Sequence, residues 1–403
     1  MRYFFVKGDF MTAVLPLLLT FAALYLAVHP DRTDRVKECA PFPWGQLLLA
    51  LSGTLGVGNI TGVAAAILLG GKGSVFWMCL SALVALVLKN AEGRVCRRSG
   101  HEIGMVGALR PLPLGRYLAP LWAGVALLLA FVMGAALQAN AIAATARAMG
   151  LIKPLWITLF LTVGIGALLG RRVEAILGRL SILLPLATIL YVGLCLFVIL
   201  CHRAQILPLL AAVFRDAFTI RSTAGGLFGF ALSEGMRRGF GVGLLSNEAG
   251  AGTSTLAQTA STPLVHAGRI GMLEVVFDTL VLCPLSALTL LLAGDATLAR
   301  PSDFLQSAFL DTYGAACTLP LFVSISLFAI STILCWYLYA ARLLSYFHGM
   351  KKGSGSLRLP YLFCIFVGTL LPELLLVCAA DTLLFFLSCM TVYALVLHAR
   401  TGR

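Results

Sequence analysis

Two glycine-rich interruptions lie inside long apolar runs, and they restrict the folds open to this chain more than any other feature. The first is SGTLGVGNITG, Ser52 to Gly62, which opens an apolar segment continuing through VAAAILLG to Gly70. Gly53, Gly56, Gly58 and Gly62 crowd that span, with Ser52, Thr54, Asn59 and Thr61 between them. In lipid every backbone N–H and C=O must find a partner, so such a run defaults to helix. Closely spaced glycines beside short polar side chains allow the helix to break. Unwound backbone survives at membrane depth only where protein encloses it or a wet cavity borders it. Taken alone, the stretch reads equally as a glycine-faced helix packed closely on a neighbour. The second interruption shifts the balance. GFGVGLLSNEAGAGTSTLAQTAS, Gly239 to Ser261, repeats glycines, an Asn, small hydroxyls and a carboxylate in apolar surroundings. One Gly-interrupted hydrophobic segment in each half of a chain points to an inverted-repeat transporter site.

The rest of the chain agrees with an all-α membrane protein. Hydrophobic residues make up 60% of the sequence and charged ones 12%, against roughly 25% charged in soluble domains. About eleven spanning segments can be drawn, at approximately 10–29, 44–70, 74–96, 118–148, 154–170, 178–200, 224–260 (broken), 265–293, 317–347, 360–379 and 381–399. The first apolar run, Met11 to Val28, follows Arg2 and Lys7 as a signal peptide would. Its core is longer than such peptides use and lacks a small-x-small site, so it reads as a retained spanning helix. With residues 1–30 as a leading extra helix, ten spans remain. They divide into five-helix repeats at 44–200 and 224–399, each opened by a discontinuous helix. Pro301 to Tyr313 reads as a short external helix capped by Ser302 or Asp303.

The net charge of +13 could suggest nucleic acid, but Lys and Arg are spread among short loops. Counting Lys89, Arg94 and Arg342 with the loop charges, one side carries roughly twice as many as the other. That bias places the C-terminus in the cytoplasm and the N-terminus outside. Eleven cysteines without a C-x-x-C pair, and six isolated histidines, give no disulfide framework and no metal-ligand spacing.

Four strings make the chain recognisable: GVGNITGVAAAILLGGKGSVFWM (Gly56 to Met78), LLSNEAGAGTSTLAQTAS (Leu244 to Ser261), VFDTLVLC (Val276 to Cys283) and STILCWYLYAAR (Ser331 to Arg342). In that order they resemble the alanine or glycine:cation symporters, bacterial secondary transporters of the sodium/alanine symporter type. The resemblance brackets nearly the whole chain. It implies uptake of a small neutral amino acid, alanine or glycine, with sodium or a proton as coupling ion and no cofactor. The sequence departs from the family pattern at Val242, where an Arg is common, and at Ala341, where an acid is lost from the string after the Trp. Lys72 replaces a Pro, and GMVGAL (Gly104 to Leu109) replaces a Gly-Gly-Pro-Met-like string. These departures bear on gating, coupling and substrate range.

A zwitterionic amino acid in a low-dielectric site needs partners for both charges. Half-helix N-termini suit its carboxylate, and freed carbonyls or side-chain oxygens suit an ammonium or a sodium ion. On that logic the N–H groups around Gly56, Gly58, Asn59 and Ile60 hold the carboxylate, with Thr61 beside them in the substrate set. Asn59 reads otherwise as interhelical glue. Gln138, in GAALQANA, either ties helices together with Asn140 or matches the pocket Gln that the resemblance implies. Trp336 matches a family Trp bordering the substrate, and lies too far inside its run for an interfacial anchor. Ser246, Asn247 and Gly250 complete the substrate set from the second break. Thr54, Gly56, Ser331 and Thr332 offer oxygens for a monovalent cation, sodium by the resemblance.

Ionisable groups inside membrane segments are functional candidates that need a named partner. Glu248 either balances Arg238 or a cation, or caps unwound backbone. Glu274 and Asp278, four apart and so on one helix face, suggest a network or gate. Glu92 reads as solvated at a helix end. An enzyme is the competing class, but HExxH and GxSxG are both absent and the first break lacks the G-x-G-x-x-G spacing. A substrate sensor without coupled flux is the third reading, motivated by Ala341.

Overall fold

Every regular element among the described residues is helical, as apolar runs in lipid require. The computed structural model describes residues 2–29, 41–100, 102–150, 154–169, 173–218, 234–259, 264–298, 300–348 and 353–401. In chain order the helices are α1 (Arg2–Val28), α2 (Trp44–Thr54), α3 (Gly58–Gly70), α4 (Ser74–Ser99), α5 (Val106–Leu109), α6 (Gly115–Ala148), α7 (Pro154–Leu169) and α8 (Val173–Cys201). Then come α9 (Ile206–Ala217), α10 (Glu234–Ser246), α11 (Ser254–Gln258), α12 (Leu264–Ala293), α13 (Pro301–Tyr313), α14 (Thr318–His348), α15 (Gly353–Gly368) and α16 (Glu373–Thr401).

Six of these helical stretches are long and apolar enough to cross a membrane, or seven if the bent pair α2–α3 counts as one span. Three shorter apolar helices, Val14–Val28, Trp156–Leu169 and Leu357–Gly368, lie at further positions where spans were drawn. Phe21, Val163, Ile189 and Phe363 are among the large side chains left outward-facing, as a lipid-contacting surface would have them. The chain is a multi-pass membrane protein. The start of the second broken span, 224–233, and its last residue, 260, lie outside the described residues.

α4 is the central packing element, lying against α10, α12 and α1. Glycine permits the closest approaches. A Cβ on Gly239 of α10 would stand 2.0 Å from the Ser74 carbonyl, and one on Gly93 of α4 would stand 2.4 Å from the Gly268 nitrogen of α12. Small residues that let backbones meet are the usual means of helix association in lipid. α14 packs on α8, α6 and α2, with Trp336 and Tyr361 fully enclosed.

Three expectations are corrected. The last two spans do not part near residue 380: α15 ends at Gly368 and α16 begins at Glu373. Pro372 lacks an N–H and clashes with the preceding turn, whereas Asp381 stays within α16, where Arg238 attracts it electrostatically. Neither Ser302 nor Asp303 caps α13; Arg300 holds the N-cap position without a side-chain bond, and Pro301 fills the first turn. Finally, α9 lies where a loop was expected. It leaves Leu207, Leu210 and Phe214 exposed. Asp216 accepts the Gly73 N–H at 2.7 Å, and the Ala217 carbonyl accepts the Trp77 indole N–H at 3.0 Å.

Candidate functional site

The first break is real. α2 and α3 meet at a 55° bend, and α3 starts with a widened π turn over Gly58–Gly62. Leu55 leaves helical geometry at φ −74°, ψ 76°. Side chains from two other helices take up the freed backbone. Gln138 of α6 accepts the Val57 N–H at 3.3 Å through Oε1. Thr332 of α14 donates to the Phe328 carbonyl at 3.1 Å and lies 3.4 Å from the Leu55 carbonyl. The Trp336 indole, fully buried, donates to the Gly53 carbonyl at 3.2 Å.

Gly56 sits between these partners: a Cβ there would lie 3.1 Å from Gln138 Oε1 and 3.2 Å from Thr332 Oγ1. Gly58 faces open space. Gly56, Gln138, Thr332 and Trp336 are therefore brought together. Four of the N–H groups in this stretch are engaged by the chain itself. Gly56 donates to the Thr54 carbonyl, Asn59 to Gly56, and both Ile60 and Thr61 to Val57. The Thr61 hydroxyl also turns back to Val57. Thr54 and Ser331 spend their hydroxyls on their own helices, at Ala50 and Phe328. Of the four oxygens proposed for a cation, only Thr332 reaches the unwound backbone through its side chain.

The second break runs from Asn247 to Thr253, with positive φ at Glu248 (51°), Gly250 (84°) and Gly252 (78°). Glycine adopts such angles freely and a glutamate rarely does. The acid that caps this backbone is Glu92 of α4, whose Oε1 accepts the N–H groups of Gly250 at 2.7 Å and Gly252 at 3.2 Å. Glu92 is fully buried, so the expectation of a solvated residue is wrong. α4 continues to Ser99 and is enclosed by α1, α10 and α12, so Glu92 does not stand at a helix end. Lys89 is the cation whose charge favours ionised Glu248, opposed by the neighbouring Glu274 and Glu92. Lys89 was counted as a loop charge. It is fully buried, pairs with Glu274 at 3.2 Å, and donates to Ser254, which itself donates to Glu274 at 2.7 Å. A Cβ on Gly250 would meet the Leu19 and Leu88 side chains.

One carboxylate joins the two breaks. Asp278 accepts a hydrogen bond from the Asn59 amide through Oδ1, and from Ser246 and Thr279 at 3.0 Å each through Oδ2. Asn247 reaches the same group indirectly by donating to Thr279. A π turn, Val276–Leu282, carries Asp278. Such widened turns are frequent at functional positions. Glu274 and Asp278 address opposite sides of the second break: Glu274 meets Ser254 after it, Asp278 meets Ser246 before it. A third widened turn, Ala130–Leu137, ends immediately before Gln138.

Arg342 also matters beyond loop charge. It donates to the Leu256 carbonyl and, at 2.6 Å, to the Thr259 carbonyl, holding the exit of α11. That contact survives without the acid missing at Ala341. Only the apolar context of Lys89 and Glu92, each within the run of α4, could have flagged them in the sequence.

The profile of the sodium:alanine symporter family matches residues 10–401. This chain belongs to the sodium:alanine symporter family. Among its relatives, the sodium/alanine symporter AgcS of Methanococcus maripaludis is 28% identical, aligned over 94% of this chain and 89% of that protein. The uncharacterized transporter YflA of Bacillus subtilis is 31% identical over 89% and 78%. The probable sodium/glutamine symporter GlnT of the same organism is 31% identical over 62% and 53%. Sodium:alanine symporters are transporters and not enzymes. Membership makes this chain a cation-coupled amino-acid transporter, with an amino acid and sodium or a proton as its cargo.

Proposed function

We propose that the protein carries out sodium-coupled symport of a small neutral amino acid such as alanine or glycine across the cytoplasmic membrane. The observation that carries this reading is the Asp278 junction, which ties Asn59 of one break to Ser246 of the other. Gln138 gives the reading its mechanism. Its Oε1 holds the Val57 N–H, the kind of backbone donor a substrate carboxylate would take over, so the amide stands in for that carboxylate between cycles. Displacing Gln138 exchanges a neutral acceptor for a charged one at a half-helix N-terminus, which the helix dipole favours. The substrate ammonium then faces the carbonyls of the first break and Asp278, and Trp336 closes over a small side chain. Carbonyls near Thr54 and Gly56 with the hydroxyls of Thr332 and Ser331 form the proposed sodium ligands.

The architecture that suits this cycle is a leading helix followed by a five-plus-five inverted repeat of eleven spans. One bundle rocks against the other about the central site. Loop charge favours a cytoplasmic C-terminus. Purified protein in vesicles tests the proposal by labelled alanine and glycine uptake under an imposed sodium gradient, then a proton gradient. Gradient-driven accumulation is expected, and Asn59→Ala or Gln138→Ala should lower it far more than protein level. Saturable binding without accumulation would instead identify a sensor, and uptake unchanged in both variants would remove the site assignment.

A further inference from the structure

A cavity of about 340 Å³ lies where the end of α6, the start of α13 and the turn between α15 and α16 meet. Asn140, Arg147, Arg300, Asp303, Pro372 and Glu373 line it. Asn140 and Arg147 fall on one face of α6, seven residues apart. The volume lies near the lower limit of ligand pockets, which run from about 300 Å³ upward. The lining carries both signs of charge in one small space.

Arg147 donates to the Thr369 carbonyl at 3.2 Å, which fixes its guanidinium against the wall. Asn140, 1% exposed, spends its amide hydrogens on the carbonyls of Gly368 and Leu371, both at 2.8 Å. Its Oδ1 is buried with no hydrogen-bond partner among the described residues. A buried acceptor left this way costs free energy until a donor reaches it. α13 also packs directly on the Gly58–Gly62 turn, so one helix forms a wall of this cavity and touches the first break.

We infer that this cavity is an outer binding site for the same zwitterionic amino acid, filled before the central site. The carboxylate lies between Arg147 and Arg300, where guanidinium groups can hold it through paired hydrogen bonds. The ammonium faces Glu373 and Asp303 and donates to Asn140 Oδ1. A ligand of a single charge would leave one pair of like charges opposed to it, whereas a zwitterion satisfies both. Because α13 spans the two places, occupancy of the outer site bears on the first break without a second ligand contact there.

This inference rests on the transport reading above. Equilibrium binding of labelled alanine and glycine to the purified full-length chain in detergent, free of zwitterionic lipid, tests it. Two equivalents per chain are expected. Asn59→Ala should retain one equivalent, and adding Arg300→Gln with Asp303→Asn should abolish it. In vesicles, Arg300→Gln alone should raise the KM for uptake several-fold with maximal rate and melting temperature kept. One equivalent in the unmodified chain and none in Asn59→Ala, or a KM untouched by Arg300→Gln, would overturn the outer site and leave the transport reading standing. Binding of neither amino acid by the unmodified chain would overturn both.

Discussion

Asn59 and Asp278, 219 positions apart in sequence, are joined by a direct amide-to-carboxylate hydrogen bond in the interior. Asp278 also receives Ser246 and Thr279, so one side chain satisfies donors from both interrupted spans. Asp278→Ala takes the shared acceptor from all three donors, leaving Ser246 only the Gly243 carbonyl at 3.4 Å, and should reduce uptake roughly tenfold or more, a loss of about 1.4 kcal/mol or greater. Asp278→Asn keeps one acceptor oxygen and should fall between that variant and the unmodified chain. Initial rates normalised to membrane protein level decide it; equal rates in all three would contradict a role for the junction.

The Lys89–Glu274 pair is fully enclosed. Removing one partner of a buried pair leaves an uncompensated charge, at a cost of about 3–5 kcal/mol. Lys89→Met should therefore lower the melting temperature in detergent sharply, and Glu274→Gln should do likewise. Combined, the two should cost less than their sum, since the second change removes the charge the first stranded. Strict additivity would mean that the two residues do not interact.

Glu92 holds two backbone N–H groups of the second break. Glu92→Gln retains a carbonyl acceptor at the same reach, whereas Glu92→Ala leaves both amides without a partner, at about 1–3 kcal/mol for each buried donor. Hydrogen exchange at Gly250 and Gly252 should accelerate in Glu92→Ala and change little in Glu92→Gln. Equal protection in the two variants would show that the carboxylate is not the cap.

Gly134 lies against Trp336: a Cβ added there would fall 2.3 Å from the Trp336 Cβ. Gly134→Ala must push α14 away from α6, an overpacking cost of about 1–3 kcal/mol. The shift should loosen the indole from the Gly53 carbonyl, raising the KM for uptake together with a drop in thermal stability. A stable variant with normal KM would mean that α14 tolerates the displacement without disturbing the first break.

Much of this site could be read in the sequence because breaks in lipid demand unusual residues. Gly56, Asn59, Gln138, Ser246 and Thr332 stand out as small or polar groups inside apolar runs, Trp336 is legible only through the family resemblance, and the fold gathers them. Glu92 and Lys89 escaped because LKNAEGRVCRRS looks like the charged end of a helix. Only tertiary packing shows that α10 and α12 cover that stretch. The separate partners of Glu274 and Asp278, Ser254 and Ser246, depend on how the second break folds against α12 and could not be read from their spacing. Pro372 marks the last helix boundary in the sequence, whereas Asp381 lies inside α16 and not at its start.

The twin grip of α12 on the second interrupted span has a mechanical consequence. Glu274 fastens the segment after the interruption and Asp278 the segment before it, so α12 works as a splint across a fracture. Those two segments cannot swing about their own gap while both fastenings hold. In the proposed cycle an alternation between outward and inward openings would carry α10, α11 and α12 together, with α4 bound to them through Lys89 and Glu92, and would pivot at the margins of that block.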